Sequence, residues 1–156
     1  EYLSYQPEPY ELLIDSQTVK EKAFLVACGN ASQYGNNAFI APHANIQDGK
    51  MDITILSPFG PLDIAPLAIQ LFTKQIDRNS KIKTFKGKEV TIIRQNPGVM
   101  HLDGEPIMAD SRIEISVLPK SLNVLTPETV SFTEEVQNLF GEVTRFFDKK
   151  LPYIFR

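Results

Sequence analysis

Much of this chain reads as short runs rich in apolar residues, set among turn formers, and that spacing favours short strands over long helices. Tyr10–Ile14 and Ala23–Cys28 are two such runs, rich in β-forming and aromatic residues. Pro7 and Pro9 disfavour a helix ahead of the first. The Gly, Asn and Ser content of 29–37 predicts an irregular loop. Met51–Leu56 predicts a strand leading straight out of the Asp48-Gly49 turn. After Asn79-Ser80 the strand pattern resumes. Lys83–Lys86 and Lys88–Arg94 flank Gly87, and Val99–Leu102 and Pro106-Ile107 flank Asp103-Gly104. Arg112–Leu118 alternates cleanly through Ile113, Ile115 and Val117.

Two stretches break this rhythm. Leu67, Leu71 and Phe72 fall at helical spacing with Ala68 beside them, which predicts one internal helix from about Asp63 to Ile76. Pro66 suits its first turn and Asp63 its cap. The composition then shifts at Thr126-Pro127. Ser131-Phe132-Thr133-Glu134 has capping-box spacing, and Val136, Leu139, Phe140, Val143, Phe146 and Phe147 trace one helical face that should end before Pro152. The expected fold is mainly β or α+β. It is a two-layer β-sandwich over 1–127 with one inserted helix, followed by a C-terminal amphipathic helix over 128–156.

Composition narrows the functional classes. The 156 residues are 42% hydrophobic and 22% charged, which is globular. A net charge of −3 offers no field for nucleic acid. The lone Cys28 excludes an internal disulfide and fits a reducing, cytoplasmic compartment; its apolar neighbours predict a buried structural thiol. No run reaches the ~18 apolar residues of a membrane span. The chain opens on Glu1 rather than Met, and the expectation is a domain excised from a longer protein.

Few residues offer chemistry on their own. Glu105 follows the Asp103-Gly104 turn, where a carboxylate can act as a base toward a hydroxyl or can simply stand in solvent beside a hairpin turn. The Asp48 loop can offer a carboxylate and adjacent carbonyls to a hard cation such as Mg²⁺, or be a solvated turn. It lacks the acidic spacing and terminal Glu of a helix-flanked calcium loop. His43 and His101 have no partners at zinc-ligand spacing. Ser32 and Ser57 lack a nucleophile-elbow context, and no phosphate-binding Gly-rich loop leads into a helix, so an ATP site is not expected within the chain. From Arg145 to Arg156, aromatics stand beside cations, a mixture suited to a peripheral membrane contact or to packing on a sheet or a partner subunit.

As an ordered series these signals acquire meaning. Gly29-Asn30, Ile40-Ala41-Pro42-x-Ala44, Asp48-Gly49-x-x-Asp52, a helix and basic strand, Asp103-Gly104-Glu105 and Leu125-Thr126-Pro127 follow one another over approximately Phe24 to Thr126. This series resembles the C-terminal half of the diacylglycerol kinase and sphingosine kinase-like lipid kinases, within the NAD kinase-like superfamily. The resemblance implies a β-rich sandwich that packs on an N-terminal nucleotide-binding domain carrying a Gly-Gly-Asp-Gly-Thr loop, a segment missing from this chain. It implies that Glu105 is the proton acceptor and that Asp103 and Gly104 line the nucleotide side of the cleft. A structural Mg²⁺ would be held by the Asp48 carboxylate and the carbonyls of Asn45 and Lys50, distinct from the Mg²⁺ that accompanies ATP. The substrate would be a lipid hydroxyl such as that of diacylglycerol or a sphingoid base, met at the inner membrane face. Where the common form has consecutive glycines, this chain has Gly35-Asn36-Asn37. The fragment alone is expected to be inactive. The alternatives are a non-catalytic lipid-binding or homodimerisation sandwich, and a kinase of the NAD kinase type.

Overall fold

The structure, a computed structural model, describes residues 6–35 and 37–125. The chain divides between Pro119 and Lys120, and residues 120–125 of the second unit carry no helix or strand. The expected terminal helix, its Ser131–Glu134 cap and the aromatic segment after Arg145 lie outside the described residues. The first unit is mainly β with one inserted α-helix, as its sequence pattern implies.

Strands β1 (Glu8–Ile14) and β2 (Gln17–Ala23) form an antiparallel hairpin, in register from Glu8 opposite Ala23 to Ile14 opposite Gln17. Asp15 turns the corner at φ +50°, a left-handed conformation that a short polar side chain tolerates. Its Oδ1 accepts the N–H groups of Lys88 at 2.9 Å and Glu89 at 3.0 Å. The sequence reading did not anticipate β2. Only Val19 and Ala23 are buried along it, among charged and polar neighbours, and so dilute a period does not announce a strand.

The expected strand over Ala23–Cys28 proves to be the end of β2 and the start of β3 (Leu25–Gly29), parted at Phe24. There the chain leaves one sheet for the other: β2 lies in the order β2-β1-β6-β9, and β3 in the order β3-β4-β5. Phe24 anchors the crossing, donating its N–H to Leu56 C=O at 2.7 Å and setting its ring edge-on to Phe59 at 4.8 Å. The second crossing joins β5 (Ile82–Gly87) to β6 (Glu89–Arg94) through Lys88 alone. A β-carbon on Gly87 would fall 2.5 Å from Ile14 Cγ2, so this corner closes only around glycine.

Leu12, Ile14, Val19, Ala23, Val90 and Ile92 of the four-stranded sheet meet Ile53 and Ile55 of β4 (Met51–Leu56) in one buried cluster. The two sheets therefore stack as layers over a shared core. Ile113 and Ile115 of β9 (Arg112–Ser116) pack onto it, as their alternation predicts. Cys28 is half-buried against the same cluster. Burial pushes its thiol up to about 12, which leaves it protonated and inert at neutral pH.

The inserted helix α1 runs Ile64–Phe72, shorter than its sequence suggests. It stops because Lys74 turns left-handed at φ +59°, with Gln75 N–H bonding back to Gln70 C=O and Thr73 N–H to Ile69 C=O. Ile76 belongs to a separate 3₁₀ turn, Ile76–Arg78, where it packs with Leu67 and Ile82. Asp63 does not cap α1 with its side chain. Its carboxylate instead accepts Gly60 N–H at 2.8 Å and so closes the preceding 3₁₀ turn, Pro61–Asp63.

Candidate functional site

The residues singled out in the sequence occupy two places. Strands β7 (Gly98–Leu102) and β8 (Glu105–Ala109) form a two-stranded sheet of their own. Leu102 pairs with Glu105 across the turn, where Asp103 (φ +49°) and Gly104 (φ +94°) both take positive angles. That is the geometry of a tight two-residue hairpin, which Asp-Gly adopts at little cost. Its consequence is that Glu105 leads β8 with its side chain exposed, beside a turn that is exposed as well.

The second place is the loop ahead of β4. Asn45 Oδ1 accepts Gln47 N–H at 2.9 Å, and Asn45 C=O accepts Asp48 N–H at 3.2 Å. Asp48 Oδ1 accepts Lys50 N–H at 2.9 Å across Gly49, which sits at φ +66°. The Lys50 amide and the Lys86 ammonium hold the Asp48 carboxyl below its ordinary pKa. Lys86, on β5, brings its Nζ to 3.3 Å from Asp48 Oδ2, 3.2 Å from Asp52 Oδ2 and 3.1 Å from His43 C=O. Desolvation opposes the Lys86 charge, but the carboxylates of Asp52 and Asp48 outweigh it and raise its pKa.

Asp52 is 8% exposed, and its Oδ2 makes that ion contact without hydrogen-bond geometry. Two carboxylates therefore share one ammonium. The ammonium already neutralises part of their charge, and the oxygens around it are of the hard type that suits Mg²⁺ rather than zinc. Among the described residues no three His, Cys, Asp or Glu side chains gather at one point, so such an ion would rely on the carbonyls of Asn45 and Lys50 and on water. Beside the loop lies a pocket of about 200 Å³, lined by His43, Asp52, Thr54, Asp77, Thr84 and Lys86 among others. His43 Nε2 meets Asp77 Oδ2 there at 3.2 Å.

The structure thus joins Asp48 to Asp52 and Lys86. Among the described residues no hydrogen bond or ion pair links that loop to Asp103, Gly104 or Glu105. Sequence reasoning missed Lys86 and Asp77, which lie 38 and 34 residues from their partners Asp48 and His43, a separation that carries no local signal. His101 stands exposed on β7 opposite Pro106.

A family model described as the YegS C-terminal NAD kinase beta sandwich-like domain matches residues 1–126. The chain is 28% identical over 125 residues to a Shewanella frigidimarina (strain NCIMB 400) protein named "Probable lipid kinase YegS-like", covering 80% of this chain and 40% of that protein. It is 28% identical over 127 residues to a protein of Mycobacterium tuberculosis (strain ATCC 25618 / H37Rv) named "Diacylglycerol kinase", covering 78% of this chain and 39% of that one. The chain thus spans about two fifths of the length of these curated relatives.

The fold superposes on a crystal structure of a diacylglycerol kinase from Bacillus anthracis str. Sterne with a TM-score of 0.52 at 19% identity, covering 77% of this chain and 46% of that one. A further B. anthracis str. Sterne chain superposes with a TM-score of 0.60 at 22% identity, over 74% of this chain and 40% of the other. The family model spans most of the chain and the superpositions reproduce its fold: the chain belongs to the family of YegS C-terminal NAD kinase beta sandwich-like domains, and its relatives carry the names of YegS-like lipid kinases and diacylglycerol kinases.

Proposed function

We propose that this chain is the lipid-binding, base-supplying half of an ATP-dependent lipid kinase. The observation that carries this reading is the Asp103-Gly104 turn, which presents Glu105 exposed at the tip of a hairpin in a chain of this family. Family membership and the names of the relatives support the substrate class. In the reaction, a lipid hydroxyl oxygen bonds to the γ-phosphorus of ATP, and its proton passes to the Glu105 carboxylate. The bond from the γ-phosphorus to the β–γ bridging oxygen breaks, and ADP leaves. The nucleotide belongs mainly to an N-terminal domain beyond this chain, with Asp103 and Gly104 lining its side of the cleft. At the Asp48 loop, the Asp48 carboxylate and the carbonyls of Asn45 and Lys50 would hold a Mg²⁺, which would supply structural charge neutralisation rather than chemistry.

The test is transfer of labelled phosphate from ATP to a total lipid extract by the full-length protein that contains this chain, by its Glu105→Gln form, and by residues 1–156 alone. Full-length protein should transfer, Glu105→Gln should lose at least about 10² of the rate, in the range a positioned base supplies, and the fragment should be inert. Undiminished transfer by Glu105→Gln removes the base assignment.

One observation favours a second reading, a non-catalytic interaction module. Leu62 (93% exposed), Ile69 and Phe72 leave an apolar face uncovered on and beside α1. Absence of transfer by the full-length protein, with self-association of the domain in sedimentation, would establish it.

A further inference from the structure

Among the described residues, the hairpin that carries Glu105 has little to hold it. Its residue pairs alternate faces, so Val99 and Met108 lie on one side and Met100, Leu102 and Ile107 on the other. Both sides stay open, with Met108 72% and Leu102 59% exposed. What fixes the hairpin is at its base. Arg94 is the last residue of β6, whose ladder bonds to both β1 and β9, and its backbone N–H donates to Ser111 C=O at 2.8 Å.

From there its guanidinium reaches both hairpin strands. Nη2 donates to Gly98 C=O at 2.6 Å and Ala109 C=O at 2.7 Å, the paired first and last residues of the hairpin. Nη1 donates to Val99 C=O at 3.4 Å and Nε to Asp110 C=O at 3.2 Å. A planar five-donor fork can hold such a spread of carbonyls, which a lysine cannot span.

We propose that Arg94 is the positioning residue that aims the Glu105 hairpin, an inference resting on the reading of Glu105 as proton acceptor. The lever is long. Four residue steps separate base from tip, about 13 Å at ~3.3 Å each, so a rotation of about 10° at the base moves the tip by about 2 Å. A misplacement of about 1 Å can already cost ~10²-fold in rate.

The experiment uses the full-length protein with Arg94→Met, Arg94→Lys and Glu105→Gln. Arg94→Met should speed amide exchange in β7 and β8 about tenfold while leaving β1 and β4 protected. It should lower kcat at least tenfold and leave KM for ATP within a factor of two; Arg94→Lys should fall between it and the parent. A purely structural role would not produce that kcat-against-KM split. Unchanged hairpin exchange overturns the proposal, and so does faster exchange with parental kcat while Glu105→Gln is inactive. Full turnover by Glu105→Gln overturns the base reading itself, and the aiming role with it. Should Arg94→Met fail to fold, the same two readouts on Arg94→Lys decide.

Discussion

At Gly87 a single hydrogen atom decides whether two layers can meet. The Ile14 methyl lies where a side chain would begin, and the residue ends the strand that feeds the crossing into the other sheet. Gly87→Ala should therefore destabilise by overpacking, by about 1–3 kcal/mol, read as a lower urea midpoint with an unchanged slope. Asp15 acts at the same corner through charge. The amides of Glu89 and Lys88 hold its carboxyl below the ordinary value of 3.8. A carboxylate with a depressed folded-state pKa adds stability that is complete above its unfolded pKa and is lost as pH falls through the folded one. Stability should hold near neutrality and decline below about pH 4. Asp15→Asn should lower stability at pH 7 and flatten that decline in urea titrations run from pH 7 to 2.

Among elements, the β7–β8 hairpin stands apart because it pairs with neither sheet. Its stability should be local. Gly104 at φ +94° has no side chain to strain, and Gly104→Ala should disfavour the turn by about 1–2 kcal/mol. That is roughly a tenfold rise in amide exchange across Gly98–Leu102 and Glu105–Ala109, with little change in the melting temperature of the sandwich. Parallel loss of protection in β1 and β6 would mean that the hairpin is instead part of the cooperative core. The helix offers the opposite lesson. Its spacing was legible from Leu67 and Leu71, but its end was not, since nothing local marks Lys74 for a left-handed turn. Lys74 Nζ lies 4.4 Å from the centroid of the Phe39 ring, a contact across 35 residues that accompanies the turn.

For the molecule as a whole, a cation bound at the Asp48 loop would couple to global stability, because Asp52 beside it lies within β4 at the heart of the fold. A ligand that binds only the folded state raises stability by mass action, about 2.7 kcal/mol at a hundred times its Kd. Mg²⁺ should accordingly raise the melting temperature of the domain, and Asp48→Ala should abolish that rise. An unchanged Mg²⁺ response in the variant would remove Asp48 from the site.

By itself the sequence determined what depends on near neighbours. The strand at Met51–Leu56 lies where its β-forming run placed it, β9 packs its Ile113 and Ile115 alternately inward, and the Asp103-Gly104 dipeptide carries the positive φ angles that turn the hairpin. The ordered motif series also carried the family. Tertiary structure alone decided that a run read as one strand breaks at Phe24 to change sheets, that the dilute Gln17–Ala23 segment is a strand, and that Lys86 stands between Asp48 and Asp52. It alone brought Arg94 to the base of the hairpin. The reason is physical. Turn angles and side-chain alternation are set by residues within a few positions, whereas a guanidinium or an ammonium finds its oxygens only after the sheets have registered and stacked.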